Sequence, residues 1–191
     1  MPRLPRNLQL GYVYHVINRG NGQAKVFHKP QDYAVFIDLL AAAKQRQAVK
    51  LLAFCLMPNH FHLVIEPEST TALSRFMQWL MTSHVRRYHQ HYLSNGHVWQ
   101  GRFKSFPIQR DQHLVAVLRY VCENPVRAGL VKTAEEWAWS GLRRTDLVDP
   151  SSVDFLLNST SELSTDQLKA VRECVNGQRP FGSPDWQRSL T

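Results

Sequence analysis

Two histidines separated by one aromatic residue, His60 and His62 around Phe61, form the pattern in this chain best suited to chemistry. They follow a Pro58-Asn59 break and open an apolar run that is typical of a buried strand. Alternate residues of a strand point to the same face, so the two imidazoles would lie together while Phe61 faces the other way. Two neutral imidazoles are half of a metal site, and two core histidines bonded to backbone carbonyls are the alternative. A same-face pair after a chain break favours the metal-ligand interpretation.

A second pair of polar residues, Tyr120 and Asn124, is spaced by one helical turn in the segment LRYVCENPVRAGLV. Residues four apart lie on the same side of a helix, so a phenol and an amide oxygen can reach the histidines together. A free tyrosine phenol has a pKa of about 10 and is a poor nucleophile, but a nearby divalent ion favours the phenolate. Judged on local pattern alone, a core tyrosine and a turn asparagine before Pro125 are the better interpretation.

Strand and helix patterns alternate along the chain in an order that predicts an α+β fold, with helices packed on an antiparallel sheet. Aromatic and β-branched runs predict strands over 12–18, 49–56 and 61–65, with 98–109 as a strand or an extended segment. Apolar residues at helical spacing predict helices over 31–47, 71–92 and 113–123. The Pro58-Asn59 break makes 49–65 either a short hairpin or one irregular strand. In both cases the histidine pair opens the second run.

The charge of the chain is uneven. Residues 1–145 hold 19 Lys and Arg against 8 Asp and Glu, a net charge of +11, and residues 146–191 hold 4 against 7, a net charge of −3. A basic body indicates a polyanionic partner such as nucleic acid, with a generally basic solvated surface as the alternative. We therefore predict one domain over 1–145 and a C-terminal tail over 146–191, with one short helix after a capping box of Ser164 and Gln167. The tail holds no motif residue, so we expect it to regulate the domain or pack against it without entering the chemistry.

The composition of the chain bears on membrane association and on the cellular compartment. The sequence has no run of about 18 apolar residues, so no transmembrane helix and no membrane partner are expected. The three cysteines, Cys55, Cys122 and Cys174, are scattered and show neither zinc spacing nor a disulfide framework. This pattern favours a reducing cytoplasm.

Three segments, MPNHFHLV, VWQGRFKS and YVCENPVRAGLV, together resemble the REP-associated tyrosine transposases, single-tyrosine members of the HUH nucleases. The resemblance runs in the expected order over residues 12–139. It implies a ferredoxin-like, RRM-like palm with the histidines on a central strand. His60 and His62 match the HUH pair, and Tyr120 matches the nucleophile. Asn124 matches the third ligand of an Mg²⁺ or Mn²⁺ ion.

The resemblance implies transesterification of single-stranded DNA beside a REP-type hairpin. Tyr120 would form a 5′-phosphotyrosine link and release a 3′-hydroxyl, and the strands would rejoin without ATP. Two alternatives stay open: a domesticated protein that binds hairpins without productive transposition, and a metal-dependent phosphodiesterase that uses water. The REP-associated group is expected to act as a monomer, with a homodimer left open by related insertion-sequence enzymes. A bacterial, cytoplasmic and nucleoid-associated protein is expected.

Candidate DNA-binding residues are the cations and aromatic residues near these motifs. In the segment from Trp99 to Lys104, cations that alternate with aromatic rings can bind phosphates and stack on bases, with a half-buried strand as the alternative. Arg86 and Arg87 near a helix end have the alternative of complementing the helix dipole. Two further candidates are an N-terminal arm spaced by prolines, with Arg3 and Arg6, and Arg127, which lies close to the candidate nucleophile in the sequence. The complete candidate set is Arg3, Arg6, Arg86, Arg87, Trp99, Arg102, Phe103, Lys104 and Arg127.

Overall fold

The structure, a computed structural model, describes residues 8–150, 152, 163–177 and 179–190. Its strands are β1 (Val13–Arg19), β2 (Val49–Met57), β3 (His60–Pro67) and β4 (Lys104–Ile108). The helices with bounds in these residues are α1 (Pro30–Arg46), α2 (Ala72–Tyr92), α3 (Gln112–Cys122), α4 (Asn124–Arg127), α5 (Thr165–Gly177) and α6 (Pro184–Arg188). Over this part of the chain, no helix has the length and apolar character needed to cross a membrane.

The four strands form one sheet in the order β2-β3-β1-β4, and every neighbouring pair is antiparallel. Helix α1 connects β1 to β2, and α2 connects β3 to β4. This order of elements is the ferredoxin-like arrangement, so the prediction of an α+β fold with helices on an antiparallel sheet is confirmed. The histidine pair lies on β3, one of the two central strands.

The β2–β3 connection is a tight hairpin, which decides between the two possibilities that the sequence left open. Met57 pairs with His60, and Pro58-Asn59 makes the turn between them. The carbonyl of Asn59 accepts a hydrogen bond from the N–H of Gly20 at 2.7 Å, which ties the turn to the loop after β1. The start of β3 is therefore held in place at the residue where the first histidine lies.

Helices cover both faces of the sheet. Helices α1 and α2 pack on one face around buried rings such as Phe36 and Phe61. Helices α3 and α5 pack on the other face, where Val121 is fully buried. Because side chains alternate along a strand, Phe61 enters the first core while His60 and His62 face α3. Burying one such ring stabilises the fold by roughly 1.5–3 kcal/mol, so Phe61 holds β3 in the orientation that presents the histidines.

Two parts of the chain differ from the prediction. The segment 98–109 is a strand only over Lys104–Ile108. The residues before this strand form a loop, in which Trp99 makes an isolated β-bridge with Gly20. Two helices of the tail have both ends within the described residues, where one helix was predicted. The second, α6, begins at Pro184, and the Ser183 side chain accepts a hydrogen bond from the N–H of Trp186. Its five residues are too few for a hydrophobic period to reveal it.

The chain passes residue 145 without leaving the core. Leu147 and Val148 are buried in the cluster around α1 and α2. Val171 and Phe181 are buried in the cluster around α3. The tail thus packs against both faces of the sheet, and its division from the first 145 residues stays a prediction.

Candidate active site

A cleft of about 400 Å³ opens on the α3 side of the sheet, at the end of β3 that carries the histidine pair. Strands β1 and β3 and helices α3, α4 and α5 all contribute to its lining. Six predicted functional residues line it together: His60, His62, Lys104, Tyr120, Asn124 and Arg127. The fold therefore brings residues of all three sequence motifs to one place.

Each histidine of the pair has its Nδ1 atom hydrogen-bonded to a neighbouring side chain. Nδ1 of His60 lies 2.7 Å from Oδ1 of Asn59, and Nδ1 of His62 lies 2.9 Å from Nε2 of His15. The two rings of the pair lie 5.0 Å apart, centroid to centroid, with 82° between their planes. With both Nδ1 atoms engaged, the Nε2 atoms are the nitrogens left to bind a metal ion.

Burial keeps these imidazoles neutral. Burial, and then the charge of Arg19, lowers the pKa of His60 to about 4. Burial is also the main cause that holds the pKa of His62 well below its ordinary value. The pKa of His15 falls to about 3 for the same reason. Neutral imidazole is the form that binds metal ions, so the pair is in its ligand form at neutral pH.

Tyr120 lies on α3 between the histidines and Arg127. Its ring centroid is 5.7 Å from that of His62, with the two planes at 87°. The Arg127 guanidinium carbon lies 4.4 Å from the same ring centroid, and the guanidinium donates a hydrogen bond to the backbone carbonyl of Tyr120. Tyr120 therefore has a positive charge beside its ring.

Asn124 begins α4, directly after α3 ends. Its Nδ2 atom donates a hydrogen bond to the Tyr120 carbonyl at 3.0 Å, which leaves Oδ1 as the acceptor atom of the amide. Over the described parts of the chain, no group of three His, Cys, Asp or Glu forms a metal site. A third ligand to the histidine pair must then be of another type, and an amide oxygen is what this cleft offers. Two imidazoles and an amide oxygen are ligand types that a divalent metal ion can use.

A groove of about 850 Å³ lies between α2 and the loop over 96–103, and it shares Asn18 with the cleft. Its lining combines apolar side chains with cations, among them Met77, Met81, Val85, Arg86 and Arg102. An apolar floor with cations suits a strand of nucleic acid, because bases prefer apolar surface and phosphates prefer guanidinium groups. Four of the predicted DNA-binding residues, Arg86, Trp99, Arg102 and Phe103, therefore line a surface next to the cleft.

The aromatic residues proposed to stack on bases are used in packing. Trp99 is 4% exposed, and its Nε1 donates a hydrogen bond to Nδ1 of His84 at 3.3 Å. Its ring also packs against that of Phe61, at 5.2 Å between centroids. Phe103 is buried as well. Both residues also line the groove, but little of either side chain is exposed there.

The neighbouring residues Arg86 and Arg87 lie on different surfaces. Arg86 lines the groove, whereas Arg87 lines a small pocket that also contains Asp32. Consecutive residues of a helix are separated by about 100°, which explains the difference. Arg3 and Arg6 lie outside the described residues.

Four residues at the site escaped the sequence analysis. Arg19, Arg172 and Asn176 line the cleft, and His15 lies behind it, bonded to His62. Residues 15 and 19 share a face of β1 by strand alternation, but only the sheet order shows that this face adjoins the histidines. The two α5 residues had no local signal, since their role depends on where the tail packs.

Known proteins resemble this chain in sequence and in fold. The profile of the family described as "Transposase IS200 like" matches residues 9–124. A protein of Haemophilus influenzae (strain ATCC 51907 / DSM 11121 / KW20 / Rd), described as "Putative REP-associated tyrosine transposase", is 30% identical over 104 residues. That match covers 49% of this chain and 58% of the relative. A solved structure described as "Structure of the REP associates tyrosine transposase bound to a REP hairpin" superposes with a TM-score of 0.59 at 20% identity, covering 78% of this chain and 89% of that one.

The family match covers more than half of the chain and defines its class as a transposase. The chain belongs to the IS200-like transposase family. Within that family, the resemblance of its motifs to REP-associated tyrosine transposases is confirmed by the curated relative and the structural match. The chain spans 58% of the length of that relative, and at 20% identity the structural likeness shows the fold.

Proposed function

We propose that the protein cleaves and rejoins single-stranded DNA beside a REP-type hairpin, with Tyr120 as the nucleophile. The observation that carries this proposal is the position of Tyr120 in one cleft with His60, His62 and Asn124. The choice of DNA is supported by the description of the structural neighbour, which is bound to a REP hairpin.

The proposed reaction is a transesterification at phosphorus. The phenol oxygen of Tyr120 loses its proton and attacks the scissile phosphorus, the bond to the 3′ oxygen breaks, and that oxygen takes up a proton to become a 3′-hydroxyl. The product is a 5′-phosphotyrosine, and attack on it by a 3′-hydroxyl restores the phosphodiester and the free phenol. The positive charge of Arg127 beside the ring can offset negative charge that develops on the phosphate during the attack. The energy of the broken bond stays in the covalent link, so rejoining needs no ATP.

His60, His62 and Asn124 are the residues that would hold one Mg²⁺ or Mn²⁺ ion. When bound, such an ion polarises the phosphate and offsets the charge that develops on it. The chain itself supplies neutral imidazoles and an amide whose Nδ2 is already bonded, which leaves Oδ1 as the amide atom that could bind the ion.

The DNA backbone would follow the cations around the two depressions. Arg19, Lys104, Arg127 and Arg172 line the cleft, and Arg86 and Arg102 line the groove. Since Asn18 lines both, we infer that one strand passes from the groove to Tyr120 at this residue. Each phosphate contact releases counterions, so the affinity should fall as the salt concentration rises.

The test uses a hairpin oligonucleotide with single-stranded flanks, labelled at its 3′ end so that the fragment joined to tyrosine carries the label. In Mn²⁺ the wild-type protein should give a labelled band that survives denaturing electrophoresis, and EDTA should abolish it. Tyr120→Phe removes one oxygen, so binding in native gels should persist while the band is lost. Tyr88→Phe is the matched control, because Tyr88 lies on α2 and lines a different pocket.

The same experiment distinguishes the two alternative functions. A metal-dependent cut without a covalent band would support a phosphodiesterase that uses water. Hairpin binding without any cut would support a domesticated binding protein. A covalent band that persists in Tyr120→Phe would contradict the assignment of the nucleophile.

A further inference from the structure

His15 and His62 form a buried pair behind the cleft. His15 lies on β1, two residues before Ile17, the residue that pairs with His62 across the sheet. Their rings are stacked, 5.1 Å apart with 23° between planes, and the residues are 2% and 3% exposed. The only hydrogen bond described between these rings joins Nε2 of His15 to Nδ1 of His62 at 2.9 Å.

A bond between two ring nitrogens contains one hydrogen, so one ring donates it and the other accepts it. If His62 donates from Nδ1, its Nε2 carries a lone pair and can bind a metal ion. If His62 accepts at Nδ1, its neutral ring carries the hydrogen on Nε2 and cannot bind there. The direction of this one bond therefore decides whether His62 is a ligand.

His60, the other candidate metal ligand, also has its Nδ1 atom hydrogen-bonded to a neighbouring side chain, and in this bond the donor and the acceptor can be assigned. Nδ1 of His60 faces Oδ1 of Asn59, and the Asn59 amide is oriented by its Nδ2, which donates to the Gln23 carbonyl at 3.1 Å. An amide oxygen only accepts, so His60 must donate from Nδ1 and keep its lone pair on Nε2. The two candidate ligands are thus supported at the same ring atom by different neighbours.

We propose that His15 is a positioning residue that accepts a hydrogen bond from Nδ1 of His62 and thereby holds His62 in the tautomer that binds metal through Nε2. This inference rests on the proposed function, in which His62 is a ligand. The edge of the His15 ring also contacts Phe106 and Tyr120, at 6.3 and 6.2 Å between centroids. These contacts hinder rotation of His15 and keep Nε2 directed at its partner.

The first test needs no variant. Long-range ¹H–¹⁵N spectra of the metal-free wild-type protein distinguish a histidine protonated on Nδ1 from one protonated on Nε2. His62 should be protonated on Nδ1. Protonation on Nε2 would overturn the proposal, whatever the protein does to DNA.

The second test measures Mn²⁺ affinity without DNA, from the electron paramagnetic resonance signal of the free ion. His15→Leu removes the acceptor and should weaken binding about 10- to 100-fold, the range usual for loss of such a neighbour. His15→Gln offers an amide oxygen in its place and should restore most of the affinity. His84→Gln, a change at another buried histidine that lies outside the cleft, should leave it unaltered.

Each outcome separates this inference from the proposed function. Equal Mn²⁺ affinity in the wild type and a folded His15→Leu variant would overturn the positioning role, as would a His15→Gln variant as weak as His15→Leu. Absence of a covalent DNA band in a wild-type protein with the expected tautomer would instead count against the proposed function. Circular dichroism confirms that each variant is folded before its affinity is compared.

Discussion

Arg127 lies over the ring of Tyr120, with its guanidinium carbon 4.4 Å from the ring centroid. The same guanidinium donates to the Tyr120 backbone carbonyl and pairs with Oε2 of Glu123 at 3.1 Å. Arg127 is the last residue of α4, which begins at Asn124, and from there it reaches back to α3. Tyr120 thus has a cation in contact with its ring before any substrate binds.

Arg127→Gln should slow formation of the covalent DNA link by about 100-fold, as expected when one charge-stabilising donor is lost. Hairpin affinity should fall much less, since Arg127 is one of several cations around the cleft. Arg127→Lys keeps the charge without the planar guanidinium and should be intermediate. Single-turnover rates and equilibrium binding separate the two effects. A loss of affinity as large as the loss of rate would show that Arg127 only binds DNA.

Arg86→Ala and Arg87→Ala form a matched pair on α2. Arg86 lines the groove beside the cleft and Arg87 does not. Arg86→Ala should therefore weaken hairpin binding and reduce the slope of log affinity against log salt by about 0.7, the value for one phosphate contact on a single strand. Arg87→Ala should change neither. Fluorescence anisotropy at several salt concentrations measures both, and equal effects of the two variants would place the DNA elsewhere.

Arg172→Ala tests whether the C-terminal helix takes part in substrate binding. Arg172 lines the cleft from α5, while Val171 beside it is buried against the sheet. The variant should bind DNA more weakly, with a smaller salt slope and an unchanged melting temperature, because it removes an exposed charge. Arg188→Ala on α6 is the control. If the two variants bind DNA as the wild type does, α5 serves only to pack against the sheet.

Acid should destabilise the protein partly through His84. An unfolded histidine titrates at about 6.5, and burial lowers the pKa of His84 to about 4. The unfolded state therefore takes up this proton first as the pH falls, so the free energy of unfolding decreases between about pH 6.5 and 4. Between pH 7.5 and 5 the contribution of this histidine is about 2 kcal/mol.

His84→Gln keeps an acceptor for the Trp99 indole and removes the titrating group. Urea unfolding at the two pH values should show a smaller loss of stability in this variant than in the wild type. His97→Gln, at an exposed position, should behave as the wild type does. The same loss in all three proteins would contradict the role of His84.

Local sequence patterns predicted most of the elements and the spacing of the candidate site residues, whereas the family resemblance supplied the roles of Tyr120 and Asn124. Strand alternation put His60 and His62 on one face and Phe61 on the other, and helical spacing put Tyr120 one turn from Asn124. The predicted helices 31–47, 71–92 and 113–123 correspond to α1, α2 and α3. No predicted helix end lies more than one residue from the observed end. These features depend on residues close in sequence, so a single chain reveals them.

The tertiary structure decided which distant surfaces meet. The sequence does not show that residue 15 of β1 adjoins His62, that Trp99 turns into the core, or that Arg172 reaches the cleft. Each depends on the order of strands in the sheet and on which apolar face covers another. The periodicity of apolar residues predicts whether a side chain is buried or exposed, but not which residues bury it. The partners are determined by packing between segments that are far apart in the chain.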